Sequence, residues 1–354
     1  MTRARSLPVL LLLASLPACL IVRHRGPMSD HFDGRRFRNP ESRPPHGVLR
    51  WLLTRRPARW PRQVANPEAS PPPARVDGER LVVTLVGHST VLVQTQGLNL
   101  LTDPVWSSRV GPVRGLGPRR VRPPAVPLDR LPRIDAIVVS HAHYDHCDLP
   151  TLRRLADRDR PRILVPLGLD AYLGRAGVRG VESLDWWQGV SLSRSVRVHL
   201  VPAAHWSRRG VFDLDRTLWG GFVIEARGGS VYFAGDTAWG SHFARIGERF
   251  APVRLALLPV GAYAPRWFMR SSHIDPDEAV RAHLALGASR SLPMHHETFQ
   301  QSDEALDAPL RDLAAARTAH GVSAAAFGPS GFGQPVEIPA VGLRRASAGP
   351  RSPE

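Results

Sequence analysis

The sequence predicts an α/β fold in which two β-sheets pack face to face and helices cover their outer sides. Strand-like pieces fall into two clusters, one between residues 81 and 168 and the other between 195 and 262. Helical patterns flank both clusters, and this interleaving in two halves is typical of layered α/β domains. With 354 residues, 43% of them hydrophobic, the chain can bury a substantial core.

The first cluster contains five predicted strands and one helix. RLVVTLVGHSTVLVQTQGLNLLTDP (80–104) has three strand-like pieces separated by glycine-containing turns. RIDAIVVS (133–140) and RILVPLG (162–168) are short apolar runs of the kind found in buried strands, and TLRRLADR (151–158) between them has a helical pattern. These elements form the predicted first half of the domain.

The second cluster has four predicted strands, in SVRVHLVPAAH (195–205), TLWGGFVIEA (217–226), GSVYFAGDT (229–237) and RLALLPVGA (254–262). Helical patterns occur in FARIGERF (243–250) and DPDEAVRAHLALG (275–287). In the latter, Asp275 is the expected N-cap and Pro276 lies in the first turn. These elements form the predicted second half.

The chain divides into four predicted segments: a signal segment (1–19), a Pro/Arg-rich lead-in (20–80), the main folded domain (81–334) and a mobile tail (335–354). Within the lead-in, GVLRWLLTRRPARWP (47–61) is basic and aromatic and predicts one or two helical turns. Such a piece is compatible with a membrane surface and equally with packing against the domain.

The first 19 residues are typical of an export signal. Arg3 and Arg5 precede an apolar run too short to span a bilayer, and small residues stand before Cys19. The ending resembles the processing site of bacterial lipoproteins, which would make Cys19 a lipidated first residue in the cell envelope. An ordinary signal peptide or an uncleaved anchor is the alternative.

The net charge of +16 does not indicate nucleic-acid binding. All 47 basic residues are arginine, which indicates a coding bias, and they are scattered without a nucleic-acid motif. Attraction to anionic lipid or phosphate stays compatible with this charge. The two cysteines exclude a disulfide framework, and Cys147 is predicted to be buried packing.

The stretch VVSHAHYDHCDLP (138–150) predicts a metal site directly after a strand. His141 and His143 stand two apart, so they can hold one ion, while Asp145 and His146 follow on the turn and can reach a second ion. Imidazole and carboxylate together suit Zn²⁺, Mn²⁺ or iron.

Three further strand-like runs end in ligand-type residues. VHLVPAAHW offers His205, VYFAGDTAW offers Asp236, and SLPMHHETF offers His295 or His296. Taken singly, each of these residues could have a packing or turn-forming role instead of binding a metal. Together with the first cluster they complete a site for two ions made of five histidines and two aspartates.

This combined pattern, HxHxDH followed by a lone His, a GD and a final His, resembles the ligand pattern of the metallo-β-lactamase superfamily. The resemblance implies a four-layer αββα sandwich over roughly residues 80–330. It implies the following ligand sets: His141, His143 and His205 for one metal, Asp145, His146 and His295 for the other, and Asp236 as the bridge. His296 is rejected because in relatives the ligand lies four residues before the Phe, here Phe299.

Many segments resemble one branch of that superfamily, the N-acyl-phosphatidylethanolamine-hydrolysing phospholipase D family. They include GHSTVLVQTQGLNLLTDPVWSSR, GPRRVRPP, AHWSRRGVFDLDRTLWGGF, FAGDTAW and LLPVGAYAPRWFMRSSHIDPDEAV. The resemblance implies a phospholipid substrate, two divalent ions with Zn²⁺ favoured, and a homodimer. Peripheral or lipid-anchored membrane association is predicted from the signal segment and from residues 47–61. The chain departs from the family at His296-Glu297, where relatives commonly have Trp-Gly.

Five further residues are predicted around the metals. Asp103, at a strand end, is expected to hydrogen-bond a ligand histidine or the bridging water; a turn-forming role is its alternative. His273 resembles a family active-site histidine that contacts phosphate or protonates the leaving oxygen, with a structural role as the alternative. Tyr144, Arg266 and Trp267 are expected to face substrate, although packing is an equally good account of Trp267.

The predicted reaction is hydrolysis of a lipid phosphodiester by a hydroxide held between two ions that share Asp236. N-Acylethanolamine and phosphatidic acid would be the products. Lactone or cyclic-phosphodiester hydrolysis is the alternative within the superfamily, and a non-catalytic envelope lipoprotein is the alternative from another functional class.

Overall fold

The structure is a computed structural model that describes residues 24–39, 41, 47–113 and 115–341. The predicted signal segment with Cys19 lies outside these residues. Within them the two predicted sheets are present and packed face to face, so the expected sandwich is confirmed. The homodimer stays a prediction.

In the described part of the chain, seven strands form the first sheet. They are β1 (Leu81–Gly87), β2 (Thr90–Thr95), β3 (Leu98–Thr102), β4 (Ala136–Val138), β5 (Arg162–Pro166), β6 (Val181–Leu184) and β13 (Val336–Ile338). Their order across the sheet is β13, β1, β2, β3, β4, β5, β6. The pairs from β13 to β3 are antiparallel and those from β3 to β6 are parallel. All five strands predicted in the first half are therefore present.

The second sheet has six strands among the described residues. They are β7 (Gly189–Ser191), β8 (Val196–Val201), β9 (Gly221–Ala226), β10 (Ser230–Phe233), β11 (Val253–Pro259) and β12 (Ser291–Met294). Their order is β12, β11, β10, β9, β8, β7, with parallel pairing from β10 to β12 and antiparallel pairing elsewhere. The parallel strands require helical crossovers, which the helices of this half supply.

Seven α-helices complete the described chain. They are α1 (Val48–Thr54), α2 (Leu149–Asp159), α3 (Leu169–Arg175), α4 (His242–Phe250), α5 (Arg266–Met269), α6 (Pro276–Ala285) and α7 (Ala308–Ala319). α2 and α3 bury leucines against the outer face of the first sheet. α4, α6 and α7 bury apolar side chains in the cluster that also holds residues of both sheets. Since burial of these faces removes apolar surface from water, it is the main force that holds the four layers together.

The beginning of the mobile tail was predicted wrongly. Residues 336–338 form β13, which pairs with β1 at the edge of the first sheet. Ile338 is buried, and Arg254 donates hydrogen bonds to the carbonyl oxygens of Ile338 and Pro339. The domain therefore extends past residue 334 because backbone pairing, rather than an apolar run, fixes this short strand.

The described part of the lead-in packs against the domain. Phe32 and Phe37 are buried in the main core, and the His31 ring stacks on Trp186 at 4.6 Å. Nε2 of His31 also lies 2.7 Å from Oδ1 of Asp185. The lead-in is thus part of the folded unit and not a separate arm.

The predicted helical turns in 47–61 are confirmed as α1, which buries none of its residues completely. Trp51 stacks on Phe268 at 4.8 Å and so attaches the helix to α5. Leu49 and Leu53 are 70% and 78% exposed. Among the described residues no helix has the length and apolarity needed to cross a bilayer.

Candidate metal centre

The ligand-type side chains lie at one edge of the sandwich, where strands of both sheets end. His141, His143, Asp145 and His146 follow β4 of the first sheet. His205, Asp236 and His295 follow β8, β10 and β12 of the second. The hydrogen bond from the Gly220 amide to the Ser140 carbonyl, at 3.0 Å, joins the two sheets at this edge. The fold thus brings together residues that are far apart in the sequence.

Three histidines form the first group. Nε2 of His141 lies 2.7 Å from Nδ1 of His143, and Nε2 of His205 lies 3.3 Å from the same Nδ1. Nδ1 of His205 donates to the carbonyl oxygen of Ser272 at 2.9 Å, and Nδ1 of His141 lies 2.9 Å from the hydroxyl of Ser140. With their Nδ1 atoms bonded outward, His141 and His205 direct Nε2 toward His143.

The second group contains Asp145, His146 and His295. Oδ2 of Asp145 lies 3.2 Å from Nε2 of His146 and 3.5 Å from Nε2 of His295. His88 also belongs to this group, since its ligand-type atom lies within 4.8 Å of those of the other three residues. The sequence prediction did not include His88.

Asp236 lies between the two groups. Its Oδ2 is 3.1 Å from Nε2 of His146 and its Oδ1 is 3.3 Å from Nε2 of His295, both in the second group. The same Oδ2 faces the first group, at 4.0 Å from Nε2 of His141 and 3.9 Å from Nε2 of His205. The carboxylate is therefore placed to contact ions on either side.

Unpaired polar atoms indicate that this donor set fits metal ions. Among the described residues, five buried atoms of the seven predicted ligands have no hydrogen-bond partner: Nε2 of His143, Nε2 of His146, Oδ1 of Asp236, and both ring nitrogens of His295. Buried polar atoms without partners are costly, and coordinated cations would satisfy those that face the ligand groups, namely Nε2 of His146, Nε2 of His295 and Oδ1 of Asp236. Imidazole nitrogens and carboxylate oxygens are the ligands that Zn²⁺ and related ions use.

The protonation states of the first group and of the two carboxylates suit metal binding, whereas His146 and His295 must each lose a proton to bind an ion. Burial lowers the pKa of these two rings, but Asp236 and Asp145 raise the pKa of His146 well above its usual value and that of His295 to about 9. Burial lowers the pKa of His141 and of His143 well below the usual value, and it lowers the pKa of His205 to about 4. Burial opposes ionisation of Asp145 and Asp236 as well, but the nearby His146 holds the pKa of both carboxyls well below their usual range. Neutral imidazole and ionised carboxylate are the forms that coordinate metals.

Asp103 forms a hydrogen bond with His146 of the second group. Its Oδ2 lies 2.6 Å from Nδ1 of His146, and its carboxylate accepts hydrogen bonds from the amide and hydroxyl of Ser140. This is the expected contact with a ligand-type histidine. Because an outer carboxylate fixes the ring and its tautomer, Asp103 directs Nε2 of His146 toward Asp236.

His273, in the segment before α6, lies beside Asp236. Its Nδ1 lies 3.9 Å from Oδ2 of Asp236 and has no hydrogen-bond partner among the described residues. The predicted cap of α6 is confirmed, since Asp275 and Glu278 form a capping box. Arg266 donates to the carbonyl of His273 and pairs with both carboxylates of that box.

Arg266 therefore holds the His273 segment in place. A contact between Arg266 and substrate phosphate is not tested by this geometry and stays a prediction.

The other two residues predicted to face substrate have contacts within the protein. Trp267 is 43% exposed and lies under the guanidinium of Arg50 at 4.6 Å. Tyr144 donates to the carbonyl of Arg209 at 2.7 Å and packs beside Phe299. The hydroxyl of Tyr144 is thus used within the protein, and its proposed contact with substrate also stays a prediction.

The residues next to the last ligand have structural contacts. His296 lies against Phe332 and belongs to none of the metal-type groups in the described chain. Glu297 forms an ion pair with Arg122, which balances the negative charge that this chain has where relatives commonly have glycine.

Cys147 is fully buried, and burial raises the pKa of its thiol to about 11, as expected for a packing residue.

Comparisons with known proteins agree with this geometry. A family model described as "Beta-lactamase superfamily domain" matches residues 98–296. An uncharacterised protein of Mycobacterium tuberculosis is 42% identical over 261 residues, covering 72% of this chain and 69% of that protein. A Caenorhabditis elegans protein named N-acyl-phosphatidylethanolamine-hydrolyzing phospholipase D 1 is 40% identical over 230 residues, covering 62% of this chain and 64% of the relative.

A solved structure gives the same fold. Igni18, described as a metallo hydrolase from Ignicoccus hospitalis, aligns with a TM-score of 0.56 and 22% identity over 73% of this chain and 98% of that one. At this identity the likeness shows the fold alone.

Gly235, directly before Asp236, should not tolerate a side chain. It has φ of +60°, and a Cβ there would lie 2.6 Å from Cβ of Ser140. Gly287 has nearly the same φ, +59°, with no atom within 4 Å of its Cβ position, and is the matched control. We expect Gly287→Ala to lower the free energy of unfolding by about 1 kcal/mol. Gly235→Ala should lower it by about 2–4 kcal/mol because it adds the clash. Urea unfolding measures both values, and equal losses would contradict the predicted contact.

Proposed function

Because the chain belongs to the β-lactamase superfamily and has its metal-dependent hydrolase fold, we propose that it is a phospholipase D-type enzyme that hydrolyses N-acyl-phosphatidylethanolamine. Family membership supports a hydrolase that uses divalent metal ions. The phospholipid substrate is proposed from the similarity to the C. elegans relative of that name. The proposed ions are two Zn²⁺, since the donors are imidazoles and carboxylates.

The observation that carries the proposal is the position of the Asp236 carboxylate between two ligand groups. One ion would be held by His141, His143 and His205, the other by Asp145, His146 and His295, and both would share Asp236. Two ions so bound would supply an activated water and neutralise charge on phosphate oxygens. A phosphodiester is therefore a well-matched substrate.

His273 is proposed to position the phosphate. Burial lowers the pKa of His273 to about 3, so the imidazole is neutral at neutral pH, and bound cations would lower that pKa further. A neutral imidazole with a free ring nitrogen can donate a hydrogen bond to a phosphate oxygen. This makes His273 a positioning donor rather than the source of a proton for the leaving oxygen.

In the proposed reaction a water oxygen attacks phosphorus and the bond between phosphorus and the ethanolamine oxygen breaks. The ethanolamine oxygen takes up a proton released by the attacking water and leaves as the alcohol of N-acylethanolamine. The water oxygen stays in phosphatidic acid. No covalent bond to the enzyme forms in this scheme.

Hydrolysis of N-acyl-phosphatidylethanolamine by the Zn²⁺-loaded protein in detergent micelles tests the proposal. We expect release of N-acylethanolamine, with ¹⁸O from labelled water recovered in phosphatidic acid by mass spectrometry. Asp236→Asn and His295→Asn should each lower kcat/KM by roughly 10³-fold or more, because each removes a ligand. His296→Asn, one position away, is the control: His296 is buried but belongs to none of the described ligand groups, so the folded variant should retain both ions and activity within about threefold.

Two results would contradict the proposal. Label in the alcohol would exclude attack at phosphorus. Turnover of a simple lactone in place of the lipid would favour the other hydrolase activity predicted from sequence.

Membrane association is proposed to involve α1. Its exposed Leu49, Leu52 and Leu53 lie beside Arg50 and Arg56, whose guanidinium groups form no ion pair among the described residues. Apolar side chains flanked by unpaired cations suit the interface of an anionic bilayer. The stack of Trp51 on Phe268 joins α1 to the segment that leads to His273. A bilayer bound at α1 would therefore lie close to that segment and bring lipid toward the metal centre.

The double variant Leu49→Ser/Leu53→Ser should weaken binding to vesicles of phosphatidylglycerol and phosphatidylcholine roughly tenfold to a hundredfold, because two leucines no longer enter the interface. Leu284→Ser removes an exposed leucine from α6 and is the control. Co-sedimentation measures binding, and activity in micelles should not change. Equal binding by both variants would rule out α1 as the docking element.

Export and lipidation at Cys19 are proposed from the signal-like segment 1–19. Labelling of the full-length protein with radioactive palmitate in a bacterial host should mark the wild type and not Cys19→Ala. Label in both proteins, or in neither, would contradict a lipid anchor at this residue.

A further inference from the structure

His88 lies in the turn between β1 and β2, and its ring is buried in the second ligand group. Its backbone has φ of +55°, a left-handed conformation that is uncommon for a histidine. The residue is 2% exposed. A buried polar ring on a left-handed backbone persists only where the surroundings hold it there.

The backbone of His88 is fixed by the loop that carries His295. The amide of His88 donates to the hydroxyl of Thr298 at 3.1 Å, and the amide of His295 donates to the carbonyl of His88 at 3.0 Å. The two rings lie 4.0 Å apart between centroids, and Phe299 closes the other side with an edge contact at 5.1 Å. The position of the His88 ring is therefore tied to that of a ligand-type histidine.

The ring contacts a ligand carboxylate. Nε2 of His88 lies 3.0 Å from Oδ2 of Asp145, and Nε2 of Gln301 donates to the same oxygen at 2.9 Å. An ionised carboxylate only accepts hydrogen bonds, so Nε2 of His88 carries the hydrogen whether the ring is neutral or charged. Among the described residues, His88 and Gln301 are the hydrogen-bond donors to Asp145 from outside the predicted ligand set.

We propose that His88 is a positioning residue, which orients the Asp145 carboxylate and thereby sets the affinity of the second group for its ion. A carboxylate on a short side chain can rotate, and two donors on one oxygen fix its plane. Outer hydrogen bonds of this kind typically change metal affinity by about 10–100-fold. The proposal depends on the proposed function only in requiring two ions per chain, and it makes no use of the lipid substrate.

Metal content measured against increasing chelator tests this role. Wild-type protein loaded with Zn²⁺ should retain two ions per chain to a higher EDTA concentration than His88→Leu. His88→Leu should keep one ion and release the other at a chelator concentration about 10–100-fold lower. His88→Gln keeps an N–H at a similar distance from the backbone and should recover most of the affinity. Elemental analysis after gel filtration gives the stoichiometry without any activity assay.

The matched control is His283→Leu. His283 is also a buried histidine with one side-chain hydrogen bond, to Ser291 at 2.8 Å, and it lies outside the ligand groups. It should lower thermal stability while keeping two ions at the wild-type chelator concentration. Any of three results would overturn the proposal: His88→Leu keeps both ions at the wild-type EDTA concentration, His88→Leu loses both ions at the same EDTA concentration, or His88→Gln does not recover metal affinity. If the variants release Zn²⁺ as expected but the wild-type protein does not hydrolyse the lipid, the proposed substrate is wrong and the role of His88 stands.

Discussion

The ionised carboxylate of Asp236 is the constraint on which the rest of the site depends. A buried carboxylate is stable only where donors or positive charges replace its lost hydration. The nearest replacement comes from His146 and His295, whose Nε2 atoms lie 3.1 and 3.3 Å away. His146 follows a strand of the first sheet, whereas His295 follows a strand of the second. The relative position of the two sheets and the electrostatics of the site therefore stabilise each other.

Small residues allow the chain segments to approach closely at this edge. A Cβ at Gly261 would lie 2.1 Å from the carbonyl oxygen of His295, and Ala204 forms an isolated bridge with Ala238. The glycine directly before Asp236 has the same function. Because larger side chains at these positions would separate the strand ends, the small residues of the VGA, AAH and AGD segments are part of how the ligands are brought together.

Most of the fold and the ligand-type residues could be predicted from sequence, because apolar runs mark the buried strands and the ligands directly follow them, while the choice of His295 over His296 came from the family resemblance. β13 was missed since Ile338 is its only fully buried residue, which leaves no pattern to detect. The ion pairs of Arg266 with Asp275 and Glu278 could not be predicted, because they depend on how α5 and α6 are placed in the folded domain. His88 gave no signal beyond a histidine in a tight turn, since its partner Asp145 is distant in sequence.

The two ligand groups differ in how their geometry is fixed. In the first group the chain supplies imidazoles, and hydrogen bonds from His141 and His205 to neighbouring segments fix their orientation. The second group includes Asp145, whose carboxylate carries charge and can rotate, so it needs donors from outside the motif. Those donors come from the turn after β1 and from the loop after β12. Both sides of the centre thus combine residues of the local motif with contacts that form only in the folded domain, and the carboxylate of Asp145 depends on two such contacts at one oxygen.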